Sequence, residues 1–177
     1  MLVDTLVKSL LSSILKLQKT MKNLTIRAIG TLGEPWHKQA IHTYASRLEP
    51  FGGIEVIELP EGHKKSAKPD IAQTQSREAE SLLKGIPAQA TMIALDETGK
   101  EYDSVGFSKK LEEWGGGGKP VVFLIGGSWG LHADIRTKAQ AVVSLGKMTL
   151  PHALARIVLL EQIYRAVMIQ RGKEYHK

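Results

Sequence analysis

Three short stretches combine glycine, polar and apolar residues where strands are predicted to end. They span residues 95–99, 126–130 and 145–152, and each follows an apolar run typical of a buried strand. Ligands of open α/β sheets bind at the carboxyl ends of the strands, so the stretches form one pocket if their strands are neighbours. Their glycines let the backbone approach a flat ligand closely. The expected apolar walls are Leu95, Leu145, Met148 and Leu150.

The glycines of the second stretch do not match the known phosphate-binding fingerprints. A dinucleotide fingerprint has glycine at its first, third and sixth positions, and a P-loop ends in Gly-Lys-Ser/Thr. Here the glycines are Gly126, Gly127 and Gly130, and no such lysine follows. The stretch is therefore either a tight turn between a strand and a helix or a loop for another kind of ligand.

The histidines form no recognisable metal motif. His37 and His42 are five residues apart, whereas two ligands on one helix face are four apart. The chain has no cysteine, which excludes disulfides and thiolate metal sites and is typical of a reducing cytoplasm. No serine or threonine lies in a nucleophile elbow, so acyl-transfer hydrolysis lacks support. We expect no metal.

Strands and helices alternate along the chain, which predicts an α/β fold with a parallel sheet covered by helices on both faces. The predicted strands are residues 24–30, 54–59, 91–95, 121–125 and 141–145. The predicted helices are residues 35–48, 71–83, 104–114, 133–139 and 153–170. Residues 96–100 then form a loop that could bind a ligand.

Capping residues and apolar spacing predict how these helices begin and which sides they bury. Asp70 and Ser104 are the expected N-caps of the second and third helices. The side chains expected to face inward include Trp36, Val105, Leu154, Ile157, Val158, Ile163, Tyr164 and Val167.

Length and composition favour one domain with a sizeable core, because the chain has 177 residues and is 42% hydrophobic. We assign it to residues 21–177. Residues 1–20 have apolar residues at helical spacing and are expected to be an amphipathic helix or disordered. We favour an extension ahead of a natural start at Met21 over a helix that docks on the body, pairs with a partner or lies on a membrane. No apolar run is long enough to span a bilayer, so we expect no membrane and a cytoplasmic location. The net charge of +6 favours an anionic partner such as RNA.

Several motifs together resemble the ribosomal RNA large subunit methyltransferase H family over essentially residues 21–177. They are Ala28-Ile29-Gly30, Leu95-Asp96 with Gly99-Lys100, Leu124-Ile125-Gly126-Gly127 with Gly130-Leu131, Lys147-Met148-Thr149-Leu150-Pro151-His152 with Arg156, Glu161-Gln162-Ile163-Tyr164-Arg165-Ala166, and the ending Tyr175-His176-Lys177. Ile-Gly-Gly, Leu-Pro-His and a terminal Tyr-His are far more specific together than any one of them.

This resemblance implies a small SPOUT-class homodimer that uses S-adenosylmethionine to methylate N3 of a pseudouridine in 23S rRNA. It also implies an α/β trefoil knot near the C-terminus. The implied cofactor positions agree with the three stretches and are Leu95, Gly126, Leu145, Gly146, Lys147, Met148, Thr149 and Leu150. Since the family carries no added RNA-binding domain, the domain surface and the dimer partner must recognise the 23S rRNA or the assembled ribosome.

Three further residues are candidates for the chemistry that this resemblance implies. His176 is the candidate for the general base that removes the N3 proton. Arg156 is the candidate for contact with the developing anion or a phosphate, and Tyr175 is the candidate for stacking on the target nucleobase. The alternatives are a disordered tail for His176 and a salt bridge to an acid for Arg156.

Two other functions fit parts of the pattern. A non-enzymatic RNA-binding or ribosome-associated protein would explain the positive charge and the Lys64-Lys65 loop, and it predicts no cofactor affinity. A doubly wound nucleotide-binding protein without a knot predicts affinity for a phosphorylated ligand instead.

Overall fold

Strands and helices alternate in the computed structural model, which describes residues 23–63 and 69–175. The strands are β1 (Leu24–Ile29), β2 (Glu55–Leu59), β3 (Thr91–Glu101), β4 (Val121–Ile125) and β5 (Ala141–Ser144). The α-helices are α1 (Pro35–Leu48), α2 (Ile71–Leu83), α3 (Ser104–Trp114), α4 (Ala133–Lys138) and α5 (His152–Gln170). The predictions for residues 1–20, Lys64, Lys65 and His176 lie outside the described residues.

The five strands form one parallel sheet in the order β2-β1-β4-β3-β5. Leu95 of β3 is paired with Ile125 of β4 on one side and with Val143 of β5 on the other. Strands β4, β3 and β5 are therefore neighbours, and their carboxyl ends lie at the same edge. The condition for a shared pocket is met.

Helices cover both faces of the sheet, as predicted, because side chains alternate along each strand. Phe123 packs in a core with α3 and α5, and its neighbour Leu124 packs in a second core with α2 and α4. The predicted parallel α/β architecture is thus confirmed. The trefoil knot remains a prediction.

Strand β3 continues to Glu101, so the predicted loop at residues 96–100 is wrong. After Leu95 the pairing with β5 shifts, and Lys100 and Glu101 pair again with Val143 and Ser144. The irregularity needs a glycine, because a Cβ at Gly99 would lie 2.6 Å from the backbone carbon of Val143. The polar end of β3 is therefore held against β5.

Asp70 caps α2 as predicted, accepting a 3.1 Å hydrogen bond from the Gln73 N–H. The predicted cap Ser104 is wrong by one residue. Asp103 has the extended backbone of an N-cap and accepts from the Gly106 N–H at 2.6 Å. Ser104 instead donates its hydroxyl to Gln162 of α5, which joins α3 to α5.

Three apolar side chains predicted to face inward are exposed. Trp36 is 55% exposed in the first turn of α1, where its ring packs at a tilt against His37 with 3.8 Å between the ring centroids, and Val105 is 37% exposed. Val158 is 36% exposed because α5 carries apolar residues on more than one side, and Ala155 and Leu159 are buried instead. Leu154, Ile157 and Tyr164 are half-buried, whereas Ile163 and Val167 are buried as predicted.

Candidate active site

The loop after β4 is a tight turn. The Gly130 N–H donates to the Gly127 carbonyl at 3.1 Å, and Gly130 has a φ of +74°. A Cβ at Gly126 would lie 2.7 Å from the carbonyl carbon of Gly130, so the returning backbone leaves no room for a side chain. The tight-turn interpretation is confirmed, and ligand binding by this loop stays a prediction.

The loop after β5 turns its middle residues toward solvent. The Ser144 hydroxyl donates to the Gly146 carbonyl at 2.9 Å and accepts from the Gly146 N–H at 3.1 Å. These two bonds close a turn in which Gly146 has a φ of +140°. Beyond it Lys147 and Thr149 are exposed, and Met148 is 83% exposed. An apolar side chain held this far out of the core is available to a ligand.

Two side-chain contacts tie β3 to its neighbouring loops. The Thr149 hydroxyl donates to Glu97 at 2.7 Å and connects the β5 loop to β3. Arg136 of α4 donates to Asp96 at 3.0 Å and to the Leu131 carbonyl, also at 3.0 Å, which fixes the start of α4. Burial favours a higher pKa for Asp96, but the hydrogen bonds from Thr98 and Arg136 outweigh it and lower that pKa below its usual value.

The strand order brings the predicted cofactor positions to one edge. Leu95, Leu145 and Leu150 are half-buried there, and glycine backbone lies beside them at residues 126 and 146. Leucine side chains beside glycine backbone are the kind of surroundings that a flat, partly apolar ligand such as an adenosine needs, and cofactor binding here stays a prediction.

Arg156 is fully buried and does not face solvent. Its guanidinium donates to the carbonyls of Ile29 and Gly30 at 2.5 and 2.7 Å, and Glu58 lies 3.4 Å away. Burial lowers its pKa and Glu58 raises it. These partners match the alternative interpretation of Arg156 as an ion-paired structural residue, and they place it under the end of β1.

Tyr175 folds back onto the middle of α5. Its ring packs edge-on against Tyr164 at 4.9 Å, the Arg165 guanidinium lies over it at 4.9 Å, and its hydroxyl donates to Glu161 at 3.3 Å. Burial, followed by the Glu161 carboxylate, raises the pKa of Tyr175. The structure therefore does not bring Tyr175 together with the three strand-end loops of its own chain.

Sequence reasoning missed Glu78, a buried carboxyl of α2 that is 3% exposed. It accepts a 3.0 Å hydrogen bond from the Gly62 N–H, and a Cβ at Gly127 would lie 3.0 Å from the same oxygen. Burial raises the pKa of Glu78, although the Gly62 and Gly127 amides lower it. Glu78 lies four residues before the buried Leu82, and residues four apart share a helix face. This spacing could have predicted that Glu78 is buried.

His152 is a second residue that the sequence did not single out for chemistry. It begins α5 directly after the β5 loop and is half-buried beside the end of β1. Across residues 23–63 and 69–175, no three His, Cys, Asp or Glu side chains are grouped to hold a metal ion. Within the same ranges, no helix is long and apolar enough to cross a membrane.

Comparison with known proteins covers nearly all of this chain. A family described as "Predicted SPOUT methyltransferase" matches residues 21–176. A protein from Anaeromyxobacter sp. (strain Fw109-5), named ribosomal RNA large subunit methyltransferase H, is 41% identical over 154 residues, which is 87% of this chain and 99% of that protein.

Solved structures with low sequence identity are similar over most of this chain, and the first of them shares its fold. A probable methylase family protein from Haemophilus influenzae Rd KW20 has a TM-score of 0.50 at 14% identity, covering 89% of this chain and 71% of that one. The SpoU methyltransferase AviRb from Streptomyces viridochromogenes, solved with AdoMet, has a TM-score of 0.44 at 18% identity and covers 88% of this chain and 60% of that one. Given the match over residues 21–176, the chain belongs to the SPOUT methyltransferase family.

Proposed function

We propose that this protein transfers a methyl group from S-adenosylmethionine to N3 of a pseudouridine in 23S ribosomal RNA. The observation that carries the proposal is the 41% identity to a ribosomal RNA large subunit methyltransferase, across 99% of that relative's length. The half-buried leucines and the glycine backbone at the carboxyl edge of β3, β4 and β5 support it, because such residues suit an adenosine.

The residues proposed to hold the cofactor are Leu95, Gly126, Leu145, Gly146, Lys147, Met148, Thr149 and Leu150. When bound there, S-adenosylmethionine supplies a methyl group on a positively charged sulfur. The Thr149 to Glu97 hydrogen bond connects the β5 loop to β3, which limits the freedom of the loop before a ligand arrives. Such preorganisation places the reactants close together, which accounts for a large part of many enzymatic rate gains.

The target N3 carries a proton and is a poor nucleophile until a base removes it. The family resemblance implies His176 for this role, and that residue lies beyond the described part of the chain. Arg156 already binds two carbonyls and Glu58, so we propose that it positions the end of β1. A role for Arg156 as a direct phosphate contact would require these bonds to open.

We propose that the active form is a homodimer in which the tail of one protomer completes the partner's site. Helix α5 has 19 residues and is about 28 Å long, with His152 at the pocket end. Tyr175 contacts Glu161 and Tyr164 of its own helix, roughly 14 to 18 Å along the axis from His152. The partly exposed Leu154, Ile157 and Val158 form an apolar face on α5 that suits a second copy.

RNA is the proposed macromolecular partner, either as isolated 23S rRNA or within the assembled ribosome. The net charge of +6 favours a polyanion. A ribosomal substrate also supports the expected cytoplasmic location.

The test is methyl transfer from labelled S-adenosylmethionine to ribosomes or 23S rRNA from cells that lack the enzyme. Label is expected in the RNA and, after digestion, in a methylated pseudouridine. RNA that remains unlabelled with both substrates would overturn the proposal. A thermal-shift panel gives the matching control, because S-adenosylmethionine and its demethylated product should raise the melting temperature whereas ATP and NAD should not.

A further inference from the structure

His152 lies where the cofactor pocket meets the end of β1. It follows the β5 loop directly and is the first residue of α5. A Cβ at Gly30 would lie 3.2 Å from its Nε2 and 3.6 Å from Oε1 of Glu61. The imidazole and this carboxylate therefore flank the same glycine, at the carboxyl edge where β1 and β4 are neighbours.

No residue in the described part of the chain forms a hydrogen bond or ion pair with His152. The side chain is half-buried, so the ring can still be reached from the surface. Arg156, one helical turn along α5, uses its guanidinium on Ile29, Gly30 and Glu58. Arg156 thus fixes the start of α5 against the end of β1. The His152 imidazole, which lies at that start, is left available to a ligand.

The charges around His152 favour its neutral form. Burial lowers the pKa of His152, and Arg156 and His37 lower it further, whereas Glu61 raises it. A neutral imidazole at physiological pH has one nitrogen with a free lone pair and can accept a proton.

The surroundings of His152 offer further contacts to a flat polar ring. Glu61 lies 3.4 Å from Nε2 of His63, and Nδ1 of His63 is buried without a partner among the described residues. Trp36, next to His37 on α1, exposes 55% of its surface at the same end of the sheet. Aromatic rings of this kind stack on unpaired RNA bases.

We propose that His152 is a catalytic residue that contacts the target base and takes the proton from its N3. This inference rests on the proposed function and assigns the base to the protomer that holds the cofactor, rather than to His176 of the tail. Glu61, His63 and Trp36 border the position in which the base would lie.

The proton transfer balances within the base and the imidazole. The N3–H bond breaks, its electron pair stays on N3, and a new N–H bond forms on His152, which becomes imidazolium. The negative charge of the base spreads onto its carbonyl oxygens, and N3 is then the nucleophile. The imidazolium afterwards releases its proton to water.

The test compares full-length wild type, His152→Gln and His152→Ala under saturating S-adenosylmethionine from about pH 5.5 to 9. Wild-type kcat should fall on the acidic side as His152 is protonated. In both variants kcat should drop roughly 10²- to 10⁴-fold and lose this acidic limb. Added imidazole should restore part of the rate to His152→Ala, which a purely structural role does not predict.

Two measurements independent of turnover accompany the rates. The affinity for S-adenosylmethionine, measured by calorimetry, should change less than about threefold in His152→Gln. The NMR signal of the His152 ring should shift when an RNA oligonucleotide containing pseudouridine is added. His42→Gln is the matched control, since His42 is exposed on α1, and it should behave as wild type.

The inference and the proposed function fail in different ways. An active wild type with His152 variants that keep kcat within about threefold overturns the role of His152 alone. An acidic limb that disappears in His176→Gln but persists in His152→Gln also overturns it. A wild type that labels no RNA overturns both the proposed function and this inference.

Discussion

The guanidinium of Arg156 donates a 2.7 Å hydrogen bond to the carbonyl oxygen of Gly30. Residues 156 and 30 are far apart in sequence, and this bond joins α5 to the end of β1. Helix α5 also begins at the β5 loop. One helix thus fixes both the loop proposed to bind the cofactor and the strand end proposed to face the target base.

Replacing Arg156 by methionine should destabilise the fold. The change leaves the Ile29 and Gly30 carbonyls without their donor and Glu58 without its partner, at a cost of about 2 to 4 kcal/mol in the free energy of unfolding. Urea denaturation measures it. Lys109→Met, which removes an exposed charge from α3, should stay within about 0.5 kcal/mol of wild type. A stable Arg156→Met protein that has lost only RNA methylation would instead favour direct substrate contact.

Adding a methyl group at Gly126 should weaken cofactor binding. The new Cβ would lie 2.7 Å from the Gly130 backbone, so the turn after β4 must shift. We expect Gly126→Ala to lower the affinity for S-adenosylmethionine at least about tenfold, and Gly126→Val to lower it more. Calorimetry gives the affinity. Gly116→Ala is the matched control because nothing lies within 4 Å of its Cβ position. Equal affinity in Gly126→Ala and Gly116→Ala would contradict the proposed pocket.

Removing the Thr149 hydroxyl should loosen the β5 loop without unfolding the protein. Thr149→Val loses the bond to Glu97 at an exposed site, which costs about 0.5 to 1 kcal/mol at most. The affinity for S-adenosylmethionine should fall several-fold, because the loop must then be ordered on binding. Thr43→Val, which removes a hydroxyl bonded within α1, should leave the affinity unchanged. Unaltered affinity in Thr149→Val would show that this tether does not shape the pocket.

Glu78 should make stability depend on pH. Burial raises its folded-state pKa above the ordinary 4.5, so its contribution to stability is present below pH 4.5 and is lost as pH rises through the folded value. Glu78→Gln keeps a neutral side chain at every pH. Urea titrations between about pH 4.5 and pH 8 should therefore show the free energy of unfolding of this variant rising relative to that of wild type as the pH increases. Glu80→Gln, at an exposed site of α2, should show no such gain; an equal gain there would contradict the assignment to Glu78.

Local patterns predicted most of the strands and helices, whereas the position of the cofactor pocket stays a prediction. The apolar run at residues 121–125 ends in Gly126, and β4 has these bounds in the structure. The sequence did not distinguish the N-cap of α3, because Asp103 and Ser104 are both good N-cap residues and only the backbone conformation separates them. In α5, apolar residues on several sides prevented the periodicity from identifying Val158 as exposed.

Contacts between distant residues decided what the sequence did not predict. Arg156 and Glu58 are 98 positions apart, so the type and spacing of Arg156 gave no sign that it is buried. The polar end of β3 is a strand because it pairs again with Val143 and Ser144 after an irregularity. Predicting either required the strand order, which connections alone did not specify.

The proposed exchange of tails between protomers predicts recovery of activity in mixed dimers. A Gly126→Val protomer lacks a working cofactor pocket, and a protomer truncated after Glu174 lacks the tail. If the tail acts on the partner's site, one of the two sites in each mixed dimer is intact, because the truncated protomer keeps its pocket and receives the tail of the other. A one-to-one mixture refolded together should then reach roughly a quarter of wild-type methyl transfer, since about half of the dimers are mixed.

If the tail serves its own protomer, every site in the mixture is defective and the activity stays at the level of the separate variants. Wild-type protein taken through the same refolding provides the reference, and size-exclusion chromatography checks that all samples are dimers.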